Sequence, residues 1–318
     1  MIPACDSAKL FRKIQGNIGS ETQGIVKFMK PLTLGEVTVN SIVEREGPWR
    51  APELMYPTCD KEIAISHLKK MEPFVYDADH NMLVITYQTF ILKTPYHTIL
   101  IDTCLGKDKG YGPPHDFPKQ PWLDGFKRNG LRFTDIDYVF CTHLHIDHCG
   151  WNTRLIDGRW VPTFPNAKYI FSKREYETWE AETKKGSNPP GNVWLQNWQP
   201  IVEAGQAILV EDDFQLDDIV WITSTPGHSP GHVCINLKSG HQRAIFSGDV
   251  MHHALQCVEP DWSSCFCWDA HQSALTRRKL LATVTDTDTL VMPAHFPGPT
   301  AGRVISKGDA YQFKFLKE

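Results

Sequence analysis

The chain has 318 residues, 41% of them hydrophobic, and sets 33 Lys and Arg against 37 Asp and Glu, a formal net charge of −4. That is enough apolar material for a sizeable core in one large domain or two small ones, and the acidic balance, with no run of five like charges, argues against a nucleic-acid surface. Apolar runs such as Thr98–Ile101 are far too short to span a bilayer, and nine scattered cysteines, an odd count in a large chain, read as reduced thiols in a cytoplasmic protein.

Residues 1–19 lack an apolar stretch of signal-peptide length, so export is not expected. Residues 1–36 show no clear periodicity and are expected to form an arm that packs on a partner subunit, giving a homodimer, with the main domain over 37–318. From Val37 to Val43 the residues alternate as a strand should. Leu83–Leu92 and Thr98–Ile101 flank the turn residues Thr94-Pro95-Tyr96-His97, which predicts a hairpin. Tyr138–Cys141 is a short apolar strand and Tyr169–Phe171 another. Ser172 and Glu175 then form a capping-box signal for a helix to about Glu182. Val220–Ser224, His232–Leu237, Ala244–Ser247 and Leu290–Met292 are further strands, and Asp269 caps a helix running to Val284. Strands followed by a helix, twice over, predict two mixed sheets packed face to face with helices outside. Each motif described next falls on a loop just after a strand, where rigid scaffolds place functional groups.

His143, His145, Asp147 and His148 follow the strand Tyr138–Cys141 in the segment Thr142-His143-Leu144-His145-Ile146-Asp147-His148-Cys149-Gly150. Residues i and i+2 of an extended backbone point the same way, so His143 and His145 can converge on one ion. Asp147 and His148 lie where the chain turns and can reach a second. Imidazole nitrogen and carboxylate oxygen bind zinc at ~2.0–2.2 Å. A polar loop with a capping Asp and surface histidines is the plain structural alternative, but it does not account for four ligand-type side chains in six residues between an apolar strand and Gly150. Three more strand ends carry ligand types: His228 in Thr225-Pro226-Gly227-His228-Ser229-Pro230-Gly231-His232, Asp249 after Gly248, and His295 after Pro293-Ala294. Singly, each reads as an ordinary solvated or satisfied side chain; together and in this order they do not.

The series His-x-His-x-Asp-His, Pro-Gly-His, Gly-Asp and a late strand-end His is similar to the motif series of the metallo-β-lactamase superfamily, over roughly Val37 to the C-terminus. The resemblance implies an α+β fold, the four-layer αββα sandwich, with metals at one rim between the sheets. Carried over, His143, His145 and His228 would hold one metal and Asp147, His148 and His295 the other, with Asp249 bridging. Two zinc ions are the expected cofactors, with manganese, cobalt or iron as alternatives that ligand type does not exclude. Two cations sharing a water lower its pKa toward neutrality, so a metal-bridging hydroxide is the expected nucleophile. Asp102, at another strand end, is either a turn cap or the residue that orients a ligand. No Gly-x-Ser-x-Gly elbow is present.

Fold alone does not give the substrate. Acyl-homoserine lactonases of the superfamily carry a Tyr three residues after the bridging Asp; here that position is His252. This residue, with the run His295-Phe296-Pro297-Gly298, looks more like the methyl parathion hydrolase group, which implies small uncharged substrates: carboxylic esters, lactones and aryl phosphotriesters. Asp147, Asp249 and His252 are expected to take part in catalysis, although His252 also reads, and slightly more readily, as an orienting histidine. Trp179, Phe266, Trp268 and Phe296 are the candidate walls of an apolar pocket, or else core and interface aromatics. Asp116, Glu175 and Glu180 have no motif support and read as surface charges. Acyl-homoserine lactonase activity, a nuclease of the same motif series and an iron oxidoreductase are the competing readings. A small-molecule substrate is expected, with neither nucleic acid nor membrane as partner.

Overall fold

The structure, a computed structural model, describes residues 29–186 and 192–317. Its first sheet runs in the order β1 (Leu32–Leu34), β2 (Val37–Arg50), β4 (Met82–Lys93), β5 (Thr98–Ile101), β6 (Tyr138–Phe140), β9 (Lys168–Ser172) and β10 (Ala207–Val210), with β3 (Tyr76–Asp77) paired to β4. β7 (Thr153–Ile156) and β8 (Arg159–Pro162) form a separate hairpin. The second sheet runs β11 (Val220–Ser224), β12 (Val233–Ser239), β13 (Gln242–Gly248), β14 (Leu290–Pro293), β15 (Gly302–Lys307) and β16 (Ala310–Phe315).

Alternation along the strands sorts the side chains into layers. Val37, Val39, Phe90, Leu92, Ile99 and Ile101 of the first sheet meet Ile222, Val233, Ile235, Leu237, Phe246 and Met292 of the second in one buried cluster. The opposite residues of the first sheet, Ile91, Leu100, Val139 and Tyr169, pack under Trp122 and Phe126 of the helix Gln120–Arg128 and under Ile201 of the helix Gln199–Glu203. The outer face of the second sheet buries Val291 and Val304 against Leu280, Leu281 and Val284 of the helix Ala270–Val284. Helix, sheet, sheet and helix make the expected αββα sandwich.

Strand direction brings the motif loops together. β5, β6 and β9 are mutually parallel. β13 and β14 are parallel, and β11 runs the same way because it reaches β13 through two antiparallel pairings. The loops that follow β5, β6, β11, β13 and β14 are those that carry Asp102, His143 to His148, His228, Asp249 and His295.

Several boundaries differ from the sequence reading. Residues 1–28 of the expected arm lie outside the described residues, but 29–36 do not stand apart. β1 pairs with β2, and Met29 and Leu34 lie in the core between the sheets. The strand at Val37 continues to Arg50, with register shifts between Val43 and Arg45 and between Pro48 and Arg50 that break its alternation. The hairpin β15–β16 lies outside the predicted strands, although Tyr311-Gln312-Phe313-Lys314-Phe315 alternates apolar and polar as a strand should. Among the described residues no helix is long and apolar enough to cross a membrane.

Candidate metal centre

Asp102, the residue after β5, anchors the first ligand loop. Its Oδ1 accepts from the Thr142 backbone N–H at 2.8 Å, and its Oδ2 lies 2.8 Å from His148 Nδ1. Thr142 Oγ1 also donates to Asp102 and sits 3.1 Å from His143 Nδ1. One buried carboxylate therefore fixes the ring orientation of His148 directly and that of His143 through Thr142. His295 Nδ1 donates to the Thr86 carbonyl at 2.8 Å. In each of these three rings Nδ1 is engaged and Nε2 faces inward.

Asp249 stands at the centre. Its Oδ2 lies 3.1 Å from His228 Nε2, 3.2 Å from His252 Nε2 and 3.8 Å from His143 Nε2. Its Oδ1 lies 3.0 Å from His295 Nε2 and 3.3 Å from His148 Nε2. The two oxygens thus face two different histidine sets. His145 Nδ1 lies 2.9 Å from His228 Nε2, and ligand-type atoms of His143, His145 and His228 all lie within 4.8 Å of one another. Asp147, His148 and His295 form a second such group. His228, Asp249 and His252 form another, so His252 sits inside the cluster rather than behind it. The carboxylate is aimed from behind: the Asp249 N–H donates to His232 Nε2 at 3.0 Å, and His232 Nδ1 pairs with Thr225 Oγ1. Gly248, at φ +48°, makes room for this arrangement, because a Cβ there would come within 2.6 Å of His232 Nε2.

The donor set fits divalent cations. His143 Nε2, His148 Nε2 and Asp249 Oδ1 are buried without a directed hydrogen bond, an arrangement that is costly unless something else satisfies them. Burial, reinforced by neighbouring histidines, pushes His143 well below the usual imidazole range, and burial does the same to His228. Both are therefore neutral at pH 7, the form that ligates. Asp249 is held well below the usual carboxylate range: burial opposes ionisation, but His295, His148, His252 and His228 together outweigh it. Burial also disfavours a charged His148, yet Asp249, Asp102 and Asp147 lift it well above its ordinary value. Ion binding at His148 must then displace a proton.

The aromatic candidates separate into two groups. Trp179 lies with its ring 5.7 Å from His145 and edge-on to Trp268 at 5.6 Å. Trp268 is 51% exposed and donates its backbone N–H to the His228 carbonyl. Phe266 is exposed under the Arg50 guanidinium, 4.9 Å from the ring centroid. Phe296 corrects the sequence reading. It is fully buried and packs on Phe313 and Phe315 in the apolar cluster outside the second sheet. Trp122, Phe126 and Trp198 are core as well.

Glu175 corrects it too. It is no surface charge but fully buried, and it accepts four hydrogen bonds. Ser172 does cap the helix Lys173–Lys184, accepting from the Glu175 N–H at 3.4 Å, but the Glu175 side chain turns away from the reciprocal half of the box. His232 likewise went unassigned, although its place in Pro230-Gly231-His232, four residues beyond His228, was the available signal.

Comparison with known proteins bears on the family and the fold. The family model for the metallo-beta-lactamase superfamily matches residues 84–295. The chain is 32% identical over 188 residues to the N-acyl homoserine lactonase AttM of Agrobacterium fabrum, covering 56% of this chain and 65% of that protein. It is 25% identical over 162 residues to the probable metallo-hydrolase YflN of Bacillus subtilis, covering 49% and 56%. The matched region thus spans just over half of these relatives' lengths. Among solved structures, the hydrolase AbOPH of the beta-lactamase superfamily superposes with a TM-score of 0.78 at 22% identity, covering 93% of this chain and 99% of that one. AidC, a dizinc quorum-quenching lactonase, gives 0.75 at 21% with the same coverage. At such identities the structural likeness speaks for the fold alone.

Proposed function

The chain belongs to the metallo-beta-lactamase superfamily, and from that premise we propose that it is a dinuclear metal-dependent hydrolase of small uncharged ester-like substrates. The observation that carries the reading is Asp249, whose two oxygens face two separate histidine sets. His143, His145 and His228 would hold one ion, Asp147, His148 and His295 the other, with Asp249 shared between them. Zinc suits this donor set, and manganese or cobalt can replace it. Such a pair, when bound, supplies Lewis acidity that activates water and polarises a carbonyl or phosphoryl oxygen near neutral pH.

The remaining roles fall to the chain itself. Asp102, Thr142 and Thr86 lock ligand rings, so that little reorganisation is needed when substrate enters. Trp179 and Trp268 stand beside His145 and His228 and would take the apolar part of a substrate. Binding there comes from buried area rather than charge pairing, which favours uncharged molecules. His252, with Nε2 3.2 Å from Asp249 and 3.4 Å from Ser264 Oγ, would hydrogen-bond a substrate oxygen or hand it a proton.

Carboxylic esters and lactones rank first, because a carbonyl is less hindered than a fully substituted phosphorus. The lactonase names of several relatives support lactones; His252 and the His295-Phe296-Pro297-Gly298 run support the methyl parathion hydrolase group and hence aryl phosphotriesters. The test is a panel of kcat/KM values on zinc-loaded enzyme. Neutral esters and lactones should lead it. A lead for RNA or a phosphate monoester would overturn the substrate assignment.

A further inference from the structure

The two histidine sets are not supported alike. Asp102 and the Thr86 carbonyl hold His148 and His295 directly, on the side of the Asp147 set, and Asp102 reaches the other set only at His143, through Thr142. On the other side, Glu175 is the buried group that reaches both ligand loops. Its Oε1 accepts from the Leu144 N–H at 3.1 Å, between His143 and His145, and from Trp179 Nε1 at 2.7 Å. Its Oε2 accepts from Ser229 Oγ at 2.8 Å and from the Gly231 N–H at 2.7 Å, one and three residues after His228.

We propose that Glu175 is the positioning residue of the three-histidine ion site, holding the His143/His145 loop, the His228 loop and the Trp179 wall in one frame while leaving the Asp147/His148/His295 site independent. The proposal rests on the two-ion reading above. All four donors are neutral, so the carboxylate serves as a four-point acceptor whose place is set by the first turn of the helix Lys173–Lys184. A carboxylate suits this because it has about four lone-pair sites and no proton to misplace. Gly231 adds a second observation. A Cβ on it would lie 2.3 Å from the Glu175 backbone nitrogen, so the His228 loop is seated directly on that helical turn.

The consequence is specific. Glu175→Gln keeps size and shape but replaces one acceptor oxygen with an amide donor. At the Oε1 position that NH2 would oppose two fixed donors, the Leu144 and Trp179 N–H groups. At the Oε2 position it opposes only one, because the Ser229 hydroxyl can turn and accept. The Gln therefore takes the second orientation, and the Gly231 contact is lost. Damage falls on the His228 loop while the Leu144 and Trp179 contacts survive.

Zinc and cobalt binding should be titrated calorimetrically against a competing chelator, in wild type and E175Q. Wild type should bind two ions. E175Q should lose roughly 10- to 100-fold in affinity at one site, the range of other groups that orient ligands, and keep wild-type affinity at the other. Trp179→Phe, which removes the indole N–H bond and trims the ring beside His145 but keeps the Leu144, Ser229 and Gly231 contacts, should lower ion affinity far less than E175Q. Should E175Q fold poorly, Ser229→Ala, which removes a single Oε2 contact, should show the same one-site loss at smaller size. Two wild-type affinities in E175Q, or equal weakening of both sites, would overturn the proposal. A wild type that binds fewer than two ions would instead overturn the two-ion reading, and that outcome appears in the wild-type arm alone.

Discussion

Asp102 Oδ2 meets His148 Nδ1 at 2.8 Å, and Asp102 does so from a left-handed backbone, φ +56°. Asn tolerates that conformation almost as well as Asp, so Asp102→Asn changes the acceptor without bending the loop. The amide offers one acceptor oxygen where the carboxylate serves His148 and Thr142 with two. Ion affinity at the His148 site is expected to fall about 10- to 100-fold, measured by chelator competition, with little change in melting temperature. Unchanged affinity would mean that Asp102 is only a turn cap.

His252 differs from the ligand histidines in one respect. Among the described residues its buried Nδ1 has no hydrogen-bond partner, whereas the Nδ1 atoms of His143, His148 and His295 are engaged. A ring whose Nδ1 lacks the anchoring bond that His143, His148 and His295 have, and whose Nε2 lies beside Asp249 and Ser264, suits contact with substrate better than ion holding. His252→Ala should keep both ions and lower kcat by roughly 10²- to 10⁴-fold, the usual contribution of a proton-transferring group. Loss of an ion in this variant, read by elemental analysis, would make His252 a ligand.

Trp179 and Trp268 meet edge to face at 5.6 Å beside His145. Burying a large apolar side chain against a ligand is worth about 1.5–3 kcal/mol. Trp268→Ala should therefore cost roughly tenfold or more in kcat/KM for long-chain esters or lactones, mainly through KM, and much less for acetyl esters. Equal losses on short and long substrates would remove these rings from the pocket.

Most of the fold, and which strand-end His and Asp residues come together around Asp249, were legible in the sequence, because strand periodicity and strand-end His and Asp are local signals. Thr98–Ile101 and Val220–Ser224 have the predicted bounds. Glu175 was not legible. Its role depends on a helix turn meeting two loops 31 and 56 residues away, and the capping-box pattern offered a sufficient local reason for a Glu at that place. Phe296 misleads for the converse reason: it adjoins His295 in sequence, but its ring belongs to the apolar cluster outside the second sheet.

Lys109 supplies a pH test independent of the ions. It is buried, donates to Thr153 Oγ1 at 2.6 Å and to the Gln196 carbonyl at 3.3 Å, and sits 3.8 Å from the Trp160 ring centroid. Burial lowers its pKa from 10.5 to about 7. A depressed folded value means that the unfolded chain binds the proton more tightly between pH 7 and 10.5. The contribution of Lys109 to stability is therefore present at high pH and is lost as pH falls toward 7, by at most about 1.4 kcal/mol per pH unit. In urea unfolding from pH 7 to 9, wild type should gain stability relative to Lys109→Met as pH rises. Parallel curves would contradict the buried, neutral lysine.

The central claim is that one carboxylate, Asp249, joins two ion sites. Its most direct test is metal content after exhaustive desalting, measured by elemental analysis on wild type, Asp249→Ala and His295→Ala. The account predicts two ions per wild-type chain, fewer than one in Asp249→Ala because both sites lose a ligand, and about one in His295→Ala. A wild-type chain that retains at most one ion, with His295→Ala fully active, would contradict it.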